Sequence, residues 1–246
     1  MLWLKKIKAD IYLKDFVSFC KERYGDNLTA IIIYGSYPWG YFDKEKSDYD
    51  VFVIFKTKTP KSKKLAQKEF LRKFPKISLQ YFCTIDELLR KVEEGHWSIY
   101  ITLLKSAKIL YYTKEYKKFL KELKKVDFIE QLMDTAAMEY KANFEIETLK
   151  KSRGYKAAKW ALPSIRKRLQ LLTYIRRKKA IWNIKKIVKL NKDVLTKEER
   201  NFIIDLNKRV RKRENSFTKI DKNKSIEILK KLNHQILFKE LASLKI

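Results

Sequence analysis

The chain has 246 residues, enough for one large or two small domains, and 45% of them are hydrophobic, which is sufficient for a core. No apolar run approaches the length of a membrane span and the first residues lack a signal-peptide pattern, so we expect a cytoplasmic protein without a membrane partner. Lysine and arginine total 58 against 29 acidic residues, and the formal charge of +29 predicts a polyanionic partner.

The first half of the chain alternates helical and strand patterns. Apolar spacing predicts a helix over residues 9–24, which the turn residues 25–27 end. A capping box of Thr84 and Glu87 predicts the start of another helix. The remaining predicted elements are strands over 30–34, 51–55, 77–83 and 109–112 and helices over 64–74 and 97–105. This order predicts an α/β (α+β) domain with a small mixed sheet over residues 1–124.

The second half of the chain has almost wholly helical patterns. The predicted helices cover residues 127–151, 155–179 with a bend at Pro163, 181–190, 196–214 and 225–245. We therefore expect an all-α helical bundle over residues 125–246. Residues 117–246 carry 36 basic and 15 acidic residues, a net +21, whereas residues 1–116 carry 22 and 14, a net +8. The polyanion-binding surface is therefore expected mainly in this bundle.

The cysteines and histidines do not indicate a metal site. Cys20 and Cys83 each lie in an apolar segment, which predicts reduced thiols in the core. His96 and His234 are too few and too isolated for a histidine-based zinc site.

A turn and a pair of carboxylates between two apolar strands form the most informative motif. Gly35 and Ser36 directly follow the first strand, and Asp48 and Asp50 open the second. Residues two apart on a strand share a face, so both carboxylates project together and can share divalent metal ions. A glycine turn lets backbone N–H groups approach phosphates. The motif predicts a site for a metal-bound nucleoside triphosphate.

This motif resembles that of the nucleotidyltransferase superfamily, which includes DNA polymerase β, the minimal nucleotidyltransferases and the aminoglycoside nucleotidyltransferases. The family pattern is Gly-Ser, a further Gly and then Asp-x-Asp, and the order of elements agrees over residues 9–124. The matching residues are Gly35, Ser36, Gly40, Ser47, Asp48 and Asp50.

The resemblance implies attack of an acceptor hydroxyl on the α-phosphate of an NTP, with pyrophosphate as the leaving group. Asp48 and Asp50 would be the catalytic residues and would hold two Mg²⁺ or Mn²⁺ ions. Nucleotide binding would fall to the turn and the loop after it, through Gly35, Ser36, Gly40 and Ser47.

The family's usual third carboxylate is missing from the third predicted strand. Gln80, with Ser78 on the same face, stands where that acid belongs, and an amide oxygen binds a hard cation without charge. Glu139 or Asp134 of the bundle could supply an acid instead, although both read as ordinary helix residues. Asp86 and Glu87 follow the strand but are explained by helix capping. The motif is equally compatible with a slow two-acid site and with a site that binds nucleotide without transfer.

The acceptor is predicted from the basic clusters of the bundle. Tyr155, Trp160, Tyr174 and Trp182 are interleaved with these clusters, which is a pattern of phosphate neutralisation and base stacking. The candidate nucleic-acid-binding residues are Arg166, Arg168, Arg176, Arg177, Arg209, Arg211 and Arg213.

These clusters favour RNA, with a tRNA end as one candidate acceptor. Two different readings remain open: AMP transfer to a protein partner, as in antitoxin-like relatives, and a catalytically weak or inactive RNA-binding protein. A cationic aminoglycoside fits less well, because a basic bundle repels it.

Overall fold

A computed structural model of the chain describes residues 10–38, 40, 42–45, 47–94, 96–126 and 135–244. The chain divides into two compact units between residues 128 and 129. The domain boundary expected between residues 124 and 125 lies slightly earlier.

The first unit has the alternating elements that its patterns predict. In chain order these are α1 (Ile11–Tyr24), β1 (Leu28–Tyr34), β2 (Tyr49–Phe55), α2 (Lys63–Lys73), β3 (Ile77–Thr84), α3 (Ile85–Glu93), α4 (Trp97–Ile101), β4 (Lys108–Tyr112) and α5 (Lys114–Leu123). A π-helical turn at Thr102–Ser106 follows α4, and together they cover the helix expected over 97–105.

Side-chain caps fix where the helices of this unit begin. Asp10 caps α1 by accepting a hydrogen bond from the Leu13 N–H at 3.0 Å. Thr84 and Glu87 form the predicted capping box at the start of α3: Glu87 accepts from the Thr84 N–H at 2.8 Å, and Thr84 accepts in return at 3.1 Å. These caps place α1 and α3 directly next to the strands that carry the site.

The sheet is mixed, with the order β3-β2-β1-β4. β1 is antiparallel to both β2 and β4, whereas β2 and β3 are parallel. One face packs into a core with α1 and α2, in which Phe16 and Phe70 lie 5.1 Å apart. α5 and α3 contact β1 and β3. Strand β2 is buried except at its second residue, Asp50, which is half-buried. The polar side chains at the opening of β2 therefore stand at the edge of an otherwise apolar sheet.

The second unit is helical throughout its described residues. Its helices are α6 (Thr135–Lys151), α7 (Gly154–Arg177), α8 (Ile184–Leu190), α9 (Lys197–Arg211) and α10 (Lys219–His234), followed by a π-helical turn at Gln235–Glu240. α10 starts before the expected residue 225, because Thr218 and Asp221 form a capping box ahead of it. The all-α prediction for this part of the chain is confirmed.

Two further expectations concern burial. Cys20 and Cys83 are both free and buried, as predicted, and burial raises the pKa of the Cys83 thiol to about 12. Within the described residues, no helix is both long and apolar enough to span a membrane.

Candidate functional site

The two motif carboxylates lie where β2 begins. Asp48 is exposed directly before the strand, and Asp50 is half-buried within it. Asp50 pairs with Tyr34 of β1 on one side and with Ser78 of β3 on the other. Tyr49, between the two acids, is only 4% exposed and points to the opposite face. The strand therefore directs both carboxylates away from the core and towards one surface.

The Gly35 turn lies against the Asp50 carboxylate. A β-carbon built on Gly35 would stand 2.5 Å from Asp50 Oδ2, closer than real β-carbons come. Gly35 also has φ +76°, a conformation that favours glycine. Two separate features thus require glycine at this position, and both bring the turn backbone next to a motif acid.

Gln80 is brought to Asp50 by an irregularity in β3. Val51 pairs with Leu79, but the next residue, Phe52, pairs with Tyr81, so Gln80 is the extra residue of a β-bulge. Its amide nitrogen donates hydrogen bonds to Asp50 Oδ1 at 3.1 Å and to Ser78 Oγ at 2.8 Å.

The bulge places a neutral amide and a hydroxyl beside Asp50. Gln80 Oε1 and Nε2 exchange places by a rotation of the amide, so the same side chain can present either an acceptor or a donor. The missing carboxylate of β3 is therefore replaced by two neutral oxygen-bearing groups.

Hydrogen bonds within the loop hold the segment between the turn and β2. Ser47 Oγ accepts from the Asp43 N–H at 3.1 Å, and the Ser47 N–H donates to the Asp43 carbonyl at 2.8 Å. Gly40 has φ +72°, and its N–H donates to the Tyr37 carbonyl at 3.2 Å. Ser47 and Gly40 thus shape the loop, while Ser36 lies half-buried in the turn beside Gly35.

An anchor beneath the acids was not foreseen from the sequence. The Tyr49 hydroxyl donates to Asp10 Oδ2, the second oxygen of the carboxylate that caps α1. Tyr12 stacks on Tyr49 with ring centroids 5.4 Å apart, and Phe42 lies 4.3 Å from it on the loop side. Burial, together with the neighbouring Asp10 carboxylate, raises the pKa of Tyr49. Tyr49 therefore ties the opening of β2 to the start of α1, and the Asp-Tyr-Asp sequence was the available signal.

The donor set at this edge of the sheet fits a hard divalent cation. Asp48 and Asp50 supply charged oxygens, and Gln80 and Ser78 supply neutral ones, which are the ligand types that Mg²⁺ and Mn²⁺ take. The described part of the chain contains no group of three or more Asp, Glu, His or Cys residues suited to a metal.

The candidate replacements for the third acid do not join this set in the described residues. Glu87 is engaged in the α3 capping box, and Asp86 lies in the same first turn. Asp134 lies outside the described residues. Glu139 lies on α6, in a stretch whose side chains the structure does not describe.

Three of the candidate nucleic-acid-binding arginines are turned inward. Arg168 pairs with the buried Glu145 and donates to Asn233 Oδ1 at 2.8 Å, and burial lowers its pKa. Arg176 pairs with Glu240 and with Asp193, each at 2.7 Å.

Arg209 binds both carboxylate oxygens of Asp221, at 3.0 and 3.1 Å. Like Arg168 and Arg176, it joins elements of the second unit to one another. These three side chains explain part of the basic sequence pattern by internal pairing.

The remaining candidate arginines have different surroundings. The guanidinium of Arg166 lies 5.8 Å from the centre of the Trp182 ring. Arg177, Arg211 and Arg213 are exposed.

The interleaved aromatic residues also divide into packed and exposed side chains. Tyr174 is buried, and the hydroxyl of Tyr155 donates to the Val210 carbonyl at 3.3 Å. Trp160 is 40% exposed. Of the four aromatics, Trp160 therefore has the surface best suited to stacking.

Comparison with known proteins agrees with this geometry. The family model "Nucleotidyltransferase domain" matches residues 13–160. Among solved structures, the chain is similar to spectinomycin adenyltransferase AAD(9) from Enterococcus faecialis, crystallised with ATP and spectinomycin, with a TM-score of 0.59 and 12% identity over 90% of this chain and 98% of that one. No curated protein sequence matches the chain.

Proposed function

The chain belongs to the nucleotidyltransferase domain family and is a transferase, and from this premise we propose that it moves an NMP group from an NTP to a hydroxyl of RNA at the Asp48–Asp50 site. The observation that carries the proposal is the contact between the Gly35 turn and the Asp50 carboxylate. A phosphate-binding turn and a metal-binding acid must lie next to each other if one NTP is to touch both.

The residues divide the work on the nucleotide. Backbone N–H groups at Gly35 and Ser36 are directional donors for the terminal phosphates, and glycine leaves room for a close approach. Asp48 and Asp50 would hold Mg²⁺ or Mn²⁺, which when bound supplies positive charge to the phosphate oxygens. The AAD(9) neighbour was crystallised with ATP, so ATP is the first NTP to test.

The reaction itself is a substitution at phosphorus. An acceptor oxygen forms a bond to the α-phosphorus, the bond to the β-phosphate oxygen breaks, and pyrophosphate leaves with that electron pair. The acceptor hydroxyl proton passes to solvent. The protein contributes mainly by positioning the reactants, because a fixed geometry alone lowers such barriers substantially.

Gln80 gives the acceptor side of the site an unusual character. Its amide lies 3.1 Å from Asp50 in the position that a third acid normally takes. A neutral ligand attracts a divalent ion less strongly than a carboxylate does. We therefore expect transfer to need more Mg²⁺ than it would with an acid at this position.

RNA is the proposed acceptor because of the charge on the second unit. Residues 117–246 carry a net +21. The inward ion pairs of Arg168, Arg176 and Arg209 leave Arg177, Arg211 and Arg213 exposed. A polyanion with a terminal hydroxyl matches both the charge and the chemistry.

The test offers each α-labelled NTP with Mg²⁺ or Mn²⁺ to a mixture of total RNA and cell protein. The blank is the variant with Asp48→Ala and Asp50→Ala. The proposal expects label in RNA that is absent from the blank. Label in protein would replace RNA with a protein acceptor, and no label in any fraction would overturn transfer to either macromolecule.

A further inference from the structure

The N-terminal half of α7 exposes a face that is basic and carries one tryptophan. The face, here called the α7 basic face, consists of Arg153, Lys156, Lys159, Trp160, Pro163 and Lys167. Its members are three or four residues apart, so they lie on the same side of the helix. The opposite side is buried, with Ala157, Ala161 and Ile165 in the core. The face is thus defined by the helical period and by exposure together.

No acid balances this face. From residue 148 to residue 192 the sequence has 16 basic residues and no acidic one. In the described part of the chain, no ion pair engages Arg153, Lys156 or Lys167. Lys159 places its ammonium group 5.7 Å from the centre of the Tyr155 ring, which leaves its charge uncompensated. The face therefore presents positive charge that nothing in this stretch of the chain neutralises.

The end of α9 extends the positive surface at one end of α7. The Tyr155 N–H donates to Asn215 Oδ1 at 3.0 Å, and the Tyr155 hydroxyl donates to the Val210 carbonyl at 3.3 Å. These two bonds fix residues 210–215 beside the start of α7. Arg211 and Arg213 are exposed in this segment, so two of the predicted nucleic-acid-binding arginines border the α7 basic face.

Trp160 gives the face a second, independent feature. Its indole is 40% exposed, with Lys156 one turn before it and Lys167 two turns after it. The two lysines lie about 16 Å apart along the helix axis. An exposed aromatic between cations suits an unpaired base flanked by phosphates, because bases stack on aromatic rings only where they are not paired within a duplex.

We propose that the α7 basic face binds a single-stranded segment of the nucleic-acid acceptor, with Trp160 stacked on a base and Lys156 and Lys167 at phosphates on either side. This inference rests on the proposed function for the identity of the acceptor. It adds the surface that holds the strand and the requirement that the strand be unpaired there.

The experiment measures binding of the full-length chain to a short fluorescein-labelled single-stranded oligoribonucleotide by anisotropy, without NTP and with EDTA. Loss of one base stack weakens binding by about 5- to 140-fold, so Trp160→Ala should raise Kd by that factor. Trp160→Phe keeps an aromatic ring and should retain most of the affinity. A thermal melt of each variant confirms that it is folded.

The phosphate contacts are tested by salt dependence with a matched control. Each phosphate contact to a single strand contributes about 0.7 to the slope of log K against log salt. Replacing Lys156 and Lys167 together by Gln should therefore reduce the slope by about 1.4. Replacing Lys185 and Lys189, two exposed lysines of α8, by Gln removes the same charge elsewhere and should leave the slope nearly unchanged.

Three results would overturn the inference: unaltered binding by Trp160→Ala, an equal slope change from the α8 pair, or tighter binding of a blunt RNA duplex than of the single strand. This binding test involves no metal or nucleotide. If RNA takes up no label in the transfer assay while binding still depends on Trp160, the proposed function fails and the α7 basic face stands. If label enters RNA but binding ignores Trp160, the reverse holds.

Discussion

Gly35→Ala separates backbone strain from the contact with Asp50. Placing alanine at φ +76° costs about 1–2 kcal/mol of folding stability. The new β-carbon would also stand 2.5 Å from Asp50 Oδ2, whereas ordinary contacts begin near 3.4 Å, so the carboxylate must move by about 0.9 Å. A displacement of about 1 Å at a reacting centre costs about 10²-fold in rate, or about 2.7 kcal/mol of activation free energy.

Gly40→Ala is the matched control for this prediction. Gly40 has a similar φ of +72°, but a β-carbon there meets nothing within 4 Å. Both variants should lose similar stability in urea denaturation. Pyrophosphate release per folded molecule should fall far more for Gly35→Ala. Equal activity losses in the two variants would refute the idea that Gly35 is needed for its closeness to Asp50.

Four further predictions follow from different contacts. Gln80→Asp should lower the Mg²⁺ concentration for half-maximal transfer, because it adds a charge beside Asp50; an unchanged Mg²⁺ titration would count against the metal-side position of Gln80. Tyr49→Phe leaves the Asp10 carboxylate without a donor and should reduce the free energy of unfolding in urea by about 1.5–3 kcal/mol, whereas Tyr112→Phe at an exposed position should change little. Arg168→Ala strands the buried Glu145 and should cost about 3–5 kcal/mol in the same assay; a loss no larger than that of the exposed neighbour variant Lys167→Ala would contradict the inward assignment. The Lys61 ammonium lowers the pKa of Glu69 below its ordinary 4.5, so Glu69 stabilises the fold above that pH and loses its contribution as pH falls through its folded pKa; the stability gap between the wild type and Glu69→Gln should therefore shrink in acid denaturation.

Local chemistry made much of the fold predictable. The Thr84–Glu87 and Thr196–Glu199 capping boxes are present as expected, because a cap is satisfied within a few residues of sequence. The apolar runs around the Gly35 turn became β1 and β2 for a similar reason. The start of α10 was missed because its capping box uses Asp221, a shorter acid than the usual Glu.

Long-range contacts account for what the sequence did not reveal. The bulge at Gln80 depends on how β3 registers with β2, and the Tyr49–Asp10 bond joins residues far apart in the chain. The inward turn of Arg168 had a weaker local signal. Ile165 and Leu172, three residues before it and four after it, are buried, so the helical period places Arg168 on a packed side.

The most direct test of the central claim is the number of Mn²⁺ ions bound per chain in the presence of a non-hydrolysable ATP analogue, measured by electron paramagnetic resonance. The account expects nucleotide-dependent binding of Mn²⁺ by the wild type and its loss in both Asp48→Asn and Asp50→Asn, with the fold intact in each. If both variants bind Mn²⁺ and nucleotide as the wild type does, these two acids do not form the metal site and the proposed mechanism is wrong.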